Sequence, residues 1–446
     1  MKQTLFFLLL LSTGIFAQKR PLQHSDYDAW KAISETKITP NGHWVAYVLS
    51  PQDGDNKLIL YPLLGNAIDS VERASDLWLS QDSQWAAYKI SPSKSIVKAA
   101  KLAKKKKEDM PKDSIGIHSF TTFETIKFGN IKSFIFPEKS NDWLAFLSHP
   151  ETKKDTSSKV KKTKKESEEN GSTLQVYSLK NNALHKFPFV YKYQFDPTGQ
   201  ILTFATTGKD STMKAGLYSF STTDQKTKLL TEVKGTYKQL ISSEDGQLWA
   251  TILDPDTTKK SLTKNHTLYF WKNTEEPKLI GDTLTPTDTR LQLISADFEP
   301  QFSKDGSKLF FGKTPRGIIK DTTKLEEDIV SLDVWNWKDN RLMPQQLANL
   351  KNDLKKSYLS VFDIKTQKTV QLANPDFPEL RLTKTANEEE MLLLASEKYA
   401  HQHWLFNPPI DAFTVSSKTE NRKLIFENKR VTDLRMSPDG KFVIWY

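Results

Sequence analysis

A short turn pattern recurs along the chain: an apolar residue, a Ser, Thr or Asp, a variable residue, an Asp or Asn, a Gly, and then an apolar run. In this frame Pro presets φ, Asp or Asn bonds the local backbone, and Gly adopts positive φ without steric cost. The aromatic and β-branched runs that follow are typical of strands buried on at least one face. The copies are ITPNGHWVAYVLS from Ile38, LSQDSQWAAYKIS from Leu79, FPEKSNDWLAFLS from Phe136, FDPTGQILTFATT from Phe195, ISSEDGQLWATIL from Ile241, FSKDGSKLFFGKT from Phe302, a degenerate LTKTANEEEMLLLASE from Leu382, and MSPDGKFVIWY from Met436.

The spacing of the copies indicates the architecture. The strand starts are Trp44, Trp85, Trp143, Ile201, Leu248, Lys308 and Phe442, in steps of 41, 58, 58, 47, 60 and 134 residues, and the degenerate copy falls in the last step. Strand-containing repeats of about 40–50 residues are typical of propeller blades, with insertions lengthening some steps. We therefore predict an all-β chain: an incomplete β-propeller of the seven- or eight-bladed type over residues 18–446. Trp44, Trp85 and Trp143 share one position relative to the frame turn, which favours a role in blade packing over a role in binding a ligand.

Between the frames, further apolar runs are predicted to be the second and third strands of blades. They are LQVYSL from Leu174, AGLYSF from Ala215, HTLYFW from His266, DIVSLDVWNW from Asp328 and SYLSVFDI from Ser357. The last frame, from Met436, predicts a blade that starts where the sequence stops, as in a fragment or a truncated gene product. A closing strand for the first blade is the alternative.

Two lysine-rich insertions are predicted, at about residues 92–120 and 150–171. Lys94–Asp113 holds eight lysines against three acids and Thr152–Asn170 seven against four, so they contribute +5 and +3 to the net charge of +10. Both lie between strand-like segments and lack interleaved aromatics, which favours solvated loops; polyanion binding is the alternative. We expect no specific nucleic-acid partner. Ser95–Lys107 has a helix-compatible composition, as either a helical insertion or a disordered loop.

The N-terminus MKQTLFFLLLLSTGIFAQ has a basic start, an apolar run from Leu5 to Leu11, and Ala17 before Gln18. This predicts a signal peptide over residues 1–17 and an exported chain, periplasmic or secreted. The apolar run is shorter than the roughly 20 residues that span a bilayer, so we expect no transmembrane span in the mature chain; a membrane anchor is the alternative. The chain has no cysteine, which excludes disulfides, thiolate metal sites and a cysteine nucleophile.

Two clusters of side chains are candidates for a site. On a strand, His401 and His403 would face one side, as metal ligands can, but no third ligand is visible, so a polar strand face is favoured. Glu388–Glu390 fills the turn of the degenerate frame and is predicted to be solvated.

The frames and several other stretches resemble the propeller of the prolyl oligopeptidase family of serine peptidases. The likeness extends to an exported branch common in Bacteroidetes through the signal ending in FAQ, the opening DYDAWKAISETKITPNGHWVAYVLSPQDGDNKLIL, the insertion KKKKEDMPKDSIGI and SLDVWNWKDNRLMPQQ from Ser331. Similar repeats also occur in the propeller of the translocation protein TolB. The resemblance implies a propeller that caps an α/β-hydrolase domain and admits peptides or unfolded segments. Glu326 and Glu327 resemble the paired glutamates that grip a substrate amine in dipeptidyl-peptidase members, although their context differs.

The catalytic half of that family has no counterpart in this sequence. The family's serine lies in a G-x-S-x-G elbow, a spacing that none of the 17 glycines gives, and the only glycine after Gly317 is Gly440. No histidine matches the triad position, so we assign no catalytic, cofactor-binding or metal residue and expect no cofactor. The chain is expected to be the substrate-gating part of a peptidase whose α/β-hydrolase domain is absent here and acts on peptides. The alternative is a stand-alone periplasmic binding or scaffold propeller similar to TolB.

Overall fold

The computed structural model describes most of the chain. The described ranges are 21–65, 69–149, 171–208, 213–256, 265–280, 290–291, 293–317, 323–330 and 332–446. The predicted signal peptide, and all but the last residue of the predicted insertion at 150–171, lie outside these ranges. The chain divides into two compact units, Met1–Lys132 (unit 1) and Ser133–Tyr446 (unit 2).

Unit 1 contains two antiparallel meanders in which each strand pairs with the next along the chain. The first has the order β1-β2-β3-β4 and the second β5-β6-β7-β8. The strands are β1 (Lys31–Ile38), β2 (Trp44–Pro51), β3 (Lys57–Pro62), β4 (Asp69–Glu72), β5 (Ala74–Leu79), β6 (Trp85–Ile90), β7 (Asp113–Ser119) and β8 (Thr125–Ile135), and the helices are α1 (His24–Asp28), α2 (Lys94–Leu102) and a 3-10 turn (Lys107–Asp109). Strand β8 begins in unit 1 and ends in unit 2.

Unit 2 repeats the same meander. Its sheets have the orders β8 to β14, where β8 enters from unit 1, β15 to β18, β19-β21-β22-β23 with β20 also on β21, β24 to β27, and β28-β29. The strands are β9 (Trp143–Ser148), β10 (Ser172–Ser178), β11 (Leu184–Phe195), β12 (Ile201–Thr206), β13 (Gly216–Ser221), β14 (Thr227–Thr231), β15 (Thr236–Ser242), β16 (Leu248–Asp254), β17 (Thr267–Lys272), β18 (Lys278–Leu279), β19 (Leu293–Ile294), β20 (Gln301–Phe302), β21 (Lys308–Thr314), β22 (Tyr358–Asp363), β23 (Thr369–Gln371), β24 (Glu379–Arg381), β25 (Glu390–Ala395), β26 (Ile410–Ser416), β27 (Arg422–Lys429), β28 (Leu434–Met436) and β29 (Val443–Trp445). The longest helix among the described residues is α3 (Met343–Asp353), and 3-10 turns lie at Glu326–Asp328 and Glu397–Gln402.

One long strand can serve two successive blades. The first half of β11 pairs with β10, from Leu184 to Val190, and its second half pairs with β12, from Val190 to Phe195. The register shifts on both sides of this junction, as at a β-bulge, which redirects a strand. Strand β11 is therefore the last strand of one four-stranded blade and the first strand of the next.

The hydrogen bonds of the frame turn explain why a strand begins directly after it. The Ser, Thr or Asp at its second position accepts a hydrogen bond from the backbone N–H five residues later. The pairs are Trp44 to Thr39 (3.0 Å), Trp85 to Ser80 (2.9 Å), Ile201 to Asp196 (2.7 Å), Leu248 to Ser243 (2.9 Å), Lys308 to Ser303 (2.9 Å) and Phe442 to Ser437 (3.0 Å). This acceptor closes each turn onto the first residue of the strand that follows.

The second strands β6, β9, β12, β16, β21 and β25 contain consecutive buried residues and are therefore buried on both faces. In β21, Phe310 packs into a core with Val361 and Leu393, whereas Phe311 on the other face packs with Ile252 and Leu268. Each core thus joins side chains of successive blades, as in propellers, where blades pack face to face. The predicted all-β propeller class is confirmed by this blade topology. The degenerate frame from Leu382 is confirmed as a turn that precedes a buried strand, but it lies between the first and second strands of its blade, β24 and β25, and does not start the blade.

Two local predictions can be compared directly. The helix-compatible stretch Ser95–Lys107 is helical as far as Leu102, within α2, and the Ser93 side chain before this helix accepts a hydrogen bond from Ile96 N–H (3.3 Å). The strand predicted from Asp328 is wrong, because the described part of DIVSLDVWNW is irregular and exposed. Both edges of β21 are already occupied, by β19 and β20 on one side and β22 on the other, so no ladder is available to it. No helix in the described ranges is long and apolar enough to cross a membrane.

Candidate functional site

The two kinds of connection in a blade differ in length. The first and second strands are joined by the compact frame turns, whereas the long connections of unit 2, such as the one between β21 and β22, follow the second strand. Because neighbouring strands are antiparallel, these connections leave opposite ends of the second strand. We call the end that carries the frame turns the turn end.

Neighbouring turns of unit 2 are bonded to one another. Lys139 donates its backbone N–H to Pro197 O (2.7 Å), and its Nζ reaches Glu244 Oε1 (3.1 Å). Farther along, Lys304 N–H donates to Thr385 O (2.8 Å). The turn end is therefore a connected surface rather than a set of separate loops.

Two cavities open at the turn end of unit 2 and differ in charge. The first, of about 290 Å³, is lined by Lys304, Lys384, Gln301 and Phe302, and we call it the lysine cavity. Both lysines are exposed, so their ammonium groups remain available to a ligand. Glu244 at its edge is held by Lys139.

The second cavity, of about 180 Å³, carries carboxylates and is called the carboxylate cavity. It is lined by Glu138, Glu299, Asp196 and Gln194. The two glutamates are exposed, whereas Asp196 is buried in its turn, where Ile201 N–H donates to it. Burial raises the pKa of Asp196, and the hydrogen bonds from Thr198 and Ile201 oppose that shift.

The cavities are adjacent, because Ile241 and Ser242 line both. Ammonium groups on one side and carboxylates on the other can bind a ligand that carries both charges at once. An extended peptide with free termini, or with acidic and basic side chains, is such a ligand.

A buried lysine bonds two neighbouring frame turns near the lysine cavity. Lys308 of β21 is 8% exposed, and its Nζ donates to the carbonyl oxygens of Asn387 (2.7 Å) and Glu388 (2.5 Å) in the next frame turn. Burial lowers the pKa of Lys308, and the Glu388 carboxylate opposes that shift. Lys308 therefore acts as a bond between blades and not as a ligand group.

The prediction that Glu388–Glu390 is solvated is wrong for Glu388, which is buried. Its carboxylate accepts hydrogen bonds from Thr383 N–H (3.2 Å) and Thr383 Oγ1 (2.7 Å), and so closes the degenerate turn. Glu389 is exposed and pairs with Lys418 (2.5 Å). In the other frames the residue at this position accepts the N–H five residues later, but Thr383 accepts a hydrogen bond from Ala386 N–H (3.2 Å). The Glu388 carboxylate closes the degenerate turn instead.

The predicted histidine and glutamate pairs do not form a site within the described residues. His401 lies in the 3-10 turn Glu397–Gln402 and His403 follows it, so neither lies on a strand as assumed. Within the described ranges, no three His, Cys, Asp or Glu side chains are grouped to hold a metal. Glu326 and Glu327 lie in the 3-10 turn between β21 and β22, with Glu327 exposed.

The frame tryptophans Trp143 and Trp44 pack against other aromatic side chains. Trp143 is buried in a core with Phe220, and Trp44 stacks on Phe120 with ring centroids 4.7 Å apart. This agrees with the predicted packing role.

A buried histidine of unit 1 was not predicted from the sequence. His118 Nδ1 lies 3.0 Å from Thr125 Oγ1 and 3.6 Å from Asp69 Oδ2, and its ring meets Phe120 edge-on. Burial lowers the pKa of His118, and the Asp69 charge only partly opposes this. A lone histidine followed by Ser and Phe carries no local signal, since its burial depends on residues of other strands.

The lowered pKa of His118 predicts a pH-dependent stability of unit 1. In the unfolded chain His118 binds a proton near its ordinary pKa of 6.5, whereas in the folded chain it binds one only at lower pH. The free energy of unfolding is therefore at its full value above about pH 6.5 and decreases as the pH falls below it. The loss approaches about 1.4 kcal/mol per pH unit in that window. Urea unfolding of the full chain at several pH values should show a steeper acid loss than in His118→Gln. Exposed His43→Gln is the control, and equal slopes in wild type and His118→Gln would contradict the prediction.

No family model and no curated protein matches the chain. Solved structures do match it. The β-propeller domain of the trilobed protease from Pyrococcus furiosus is 14% identical with a TM-score of 0.36, over 90% of this chain and 99% of that chain. An acylaminoacyl peptidase from Pyrococcus horikoshii is 12% identical with a TM-score of 0.37, over 93% of this chain and 56% of that chain. A eukaryotic initiation factor is 10% identical with a TM-score of 0.44, over 90% and 82%. At these identities the likeness concerns the fold alone, and the fold assignment rests on the strand pairing above.

Proposed function

We propose that this chain is the substrate-gating propeller of an exported serine peptidase of the prolyl oligopeptidase type, and that peptides are received at the turn end of unit 2. The observation that carries the proposal is the pair of adjacent cavities with opposite charge. The sequence resemblance to that family's propeller supports it. The sequence contains no G-x-S-x-G, so the nucleophile would be supplied from outside these 446 residues.

The charges suit a peptide because a peptide presents both an ammonium and a carboxylate. Lys304 and Lys384 would bind a C-terminal carboxylate or an acidic side chain. Glu138 and Glu299 would bind an N-terminal ammonium or a basic side chain. Such exposed ion pairs are individually weak, which suits a gate that must release what it admits.

Peptide binding by the full chain tests the cavity assignment. A fluorescent peptide with one acidic and one basic end should bind with micromolar or weaker affinity, as measured by anisotropy. Lys384→Gln and Glu299→Gln should each weaken binding about two- to five-fold, the scale of an exposed ion pair. Lys186→Gln, an exposed lysine on β11, is the matched control and should leave binding unchanged. Equal affinities for all four proteins would refute the assignment.

The peptidase assignment needs a separate test. An antibody raised against the chain should detect, in the source cells, a product heavier than 51.1 kDa that is labelled by a fluorophosphonate, which reacts with activated serines. An unlabelled product of 51.1 kDa or less would sink the peptidase assignment. Peptide binding without such a product would instead favour the stand-alone binding propeller.

A further inference from the structure

The connection between β21 and β22 exposes an unusual amount of apolar surface. We call residues 332–354 the apolar segment. Eight of its large apolar side chains are exposed: Leu332, Val334, Trp335, Trp337, Leu342, Leu347, Leu350 and Leu354. Trp337 alone is 88% exposed. Exposed apolar patches of this kind mark interaction surfaces, and tryptophan is enriched among the residues that dominate binding energy.

The apolar segment is held in place by Arg341. The Arg341 guanidinium pairs with Asp353 at the end of α3 (2.9 Å) and with Glu397 of the following blade (3.1 Å). Its backbone carbonyl accepts a hydrogen bond from Gln346 Nε2 (2.8 Å). The exposed side chains are therefore presented on a fixed support.

Helix α3 carries an uncovered stripe. Leu347 and Leu350 of α3, and Leu354 that caps it, recur at the three- and seven-residue spacing that places side chains on one helix face. None of the residues of α3 is buried. A helix of this length gains most of its stability from burying such a face, so the stripe calls for a partner surface.

The charge pattern favours a second copy of this chain as that partner. The apolar segment contains three cations, Lys338, Arg341 and Lys351, and three anions, Asp333, Asp339 and Asp353, and so has no net charge. The whole chain carries +10, so two copies repel elsewhere but can approach through this neutral segment. A surface with equal numbers of both signs also suits a two-fold interface, in which each residue meets its counterpart's neighbours.

We infer that the apolar segment is the interface of a homodimer in which the α3 stripes of two copies pack together. The inference does not depend on the proposed peptidase function, since it uses the connection that follows the second strand and not the turn end. Trp335 and Trp337 would supply the anchoring area beside the stripe.

Sedimentation velocity of the full chain at micromolar concentrations tests the inference. Wild type should sediment as a dimer. Leu347→Gln combined with Leu350→Gln should raise the dimer Kd by at least about ten-fold. The matched control combines Leu64→Gln with Leu102→Gln, two exposed leucines of unit 1, and should remain dimeric. A wild-type monomer, or a dimer that the α3 variant leaves intact, would overturn the inference.

The absence of cysteine permits a second measurement that a folding defect cannot mimic. In a symmetric dimer, Leu350→Cys should form an intermolecular disulfide under mild oxidation and give a reducible band at twice the chain mass. Leu64→Cys, at a position of unit 1 that is more exposed than Leu350, should stay monomeric on the same gel. Equal crosslinking of the two variants would indicate random collision and reject the interface. If the Leu350→Cys variant crosslinks only to another protein, a second copy is not the partner and the inference is rejected. The same holds if the chain is recovered only together with lipid.

Discussion

Replacing Phe311 with alanine should lower the free energy of unfolding of unit 2 by about 3–5 kcal/mol. Phe311 lies in the middle of β21 and has no exposed surface. It packs with Ile252, Leu268 and Leu309 in a core that joins successive blades. The large expected cost combines the lost transfer energy of the ring with the cavity left between two sheets that cannot collapse freely.

Phe310→Ala should cost a similar amount through a different core. Its side chain points to the opposite face of β21, where it packs with Val361 and Met391. Denaturant unfolding of unit 2 should show comparable losses for the two variants, because each strand face is an interior. Phe406→Ala, with a side chain that is 92% exposed, is the control and should change stability by less than about 0.5 kcal/mol. A small loss for either buried phenylalanine would contradict burial on both faces.

The blade frame could be read from sequence because its chemistry is local. The Pro, Asp or Asn, and Gly of each turn act within a few residues, and the strand that follows starts at a fixed distance. One part was missed: the Ser, Thr or Asp at the second position accepts the N–H of the first strand residue, as in the bond from Leu248 to Ser243 (2.9 Å). The recurrence of those three residue types at that position could have revealed this role.

Features that depend on residues distant in sequence could not be predicted from local motifs. The DVWNW stretch looks like a strand by composition, yet the edges of β21 are taken by strands from elsewhere in the chain. Glu388 looks solvated among acids, yet its burial depends on Thr383 and on Lys308 of the preceding blade.

The candidate site also depends on residues that are distant in sequence. Glu138, Glu299 and Lys384 are far apart in sequence and line neighbouring cavities only because the frame turns of unit 2 meet at one end. No periodicity or motif in one segment announces such a grouping.

Gly246→Ala should destabilise unit 2 by about 3 kcal/mol or more, which is more than a left-handed backbone alone accounts for. Gly246 has φ +74, where a side chain costs roughly 1–2 kcal/mol. An added Cβ would also clash with the Asp196 carboxylate of the preceding turn and lie 3.1 Å from its Cγ. That carboxylate would have to move from its position as the acceptor of Ile201 N–H, which adds a loss of about 1.5–3 kcal/mol.

Gly306→Ala separates the two causes, because Gly306 occupies the same turn position with φ +68 but its Cβ would meet only Leu248 Cδ1, at 3.3 Å. We expect it to lose about 1–2 kcal/mol, the cost of the backbone conformation. Both variants lie in unit 2, so urea unfolding followed by the same signal compares them directly. The excess loss of stability in Gly246→Ala measures the close approach of two frame turns. This excess should be smaller in the Asp196→Asn background, because a displaced neutral amide loses less hydrogen-bond energy than a displaced carboxylate. Equal losses at the two glycines would mean that the turns do not support one another, and the connected turn end on which the peptide site depends would have to be abandoned.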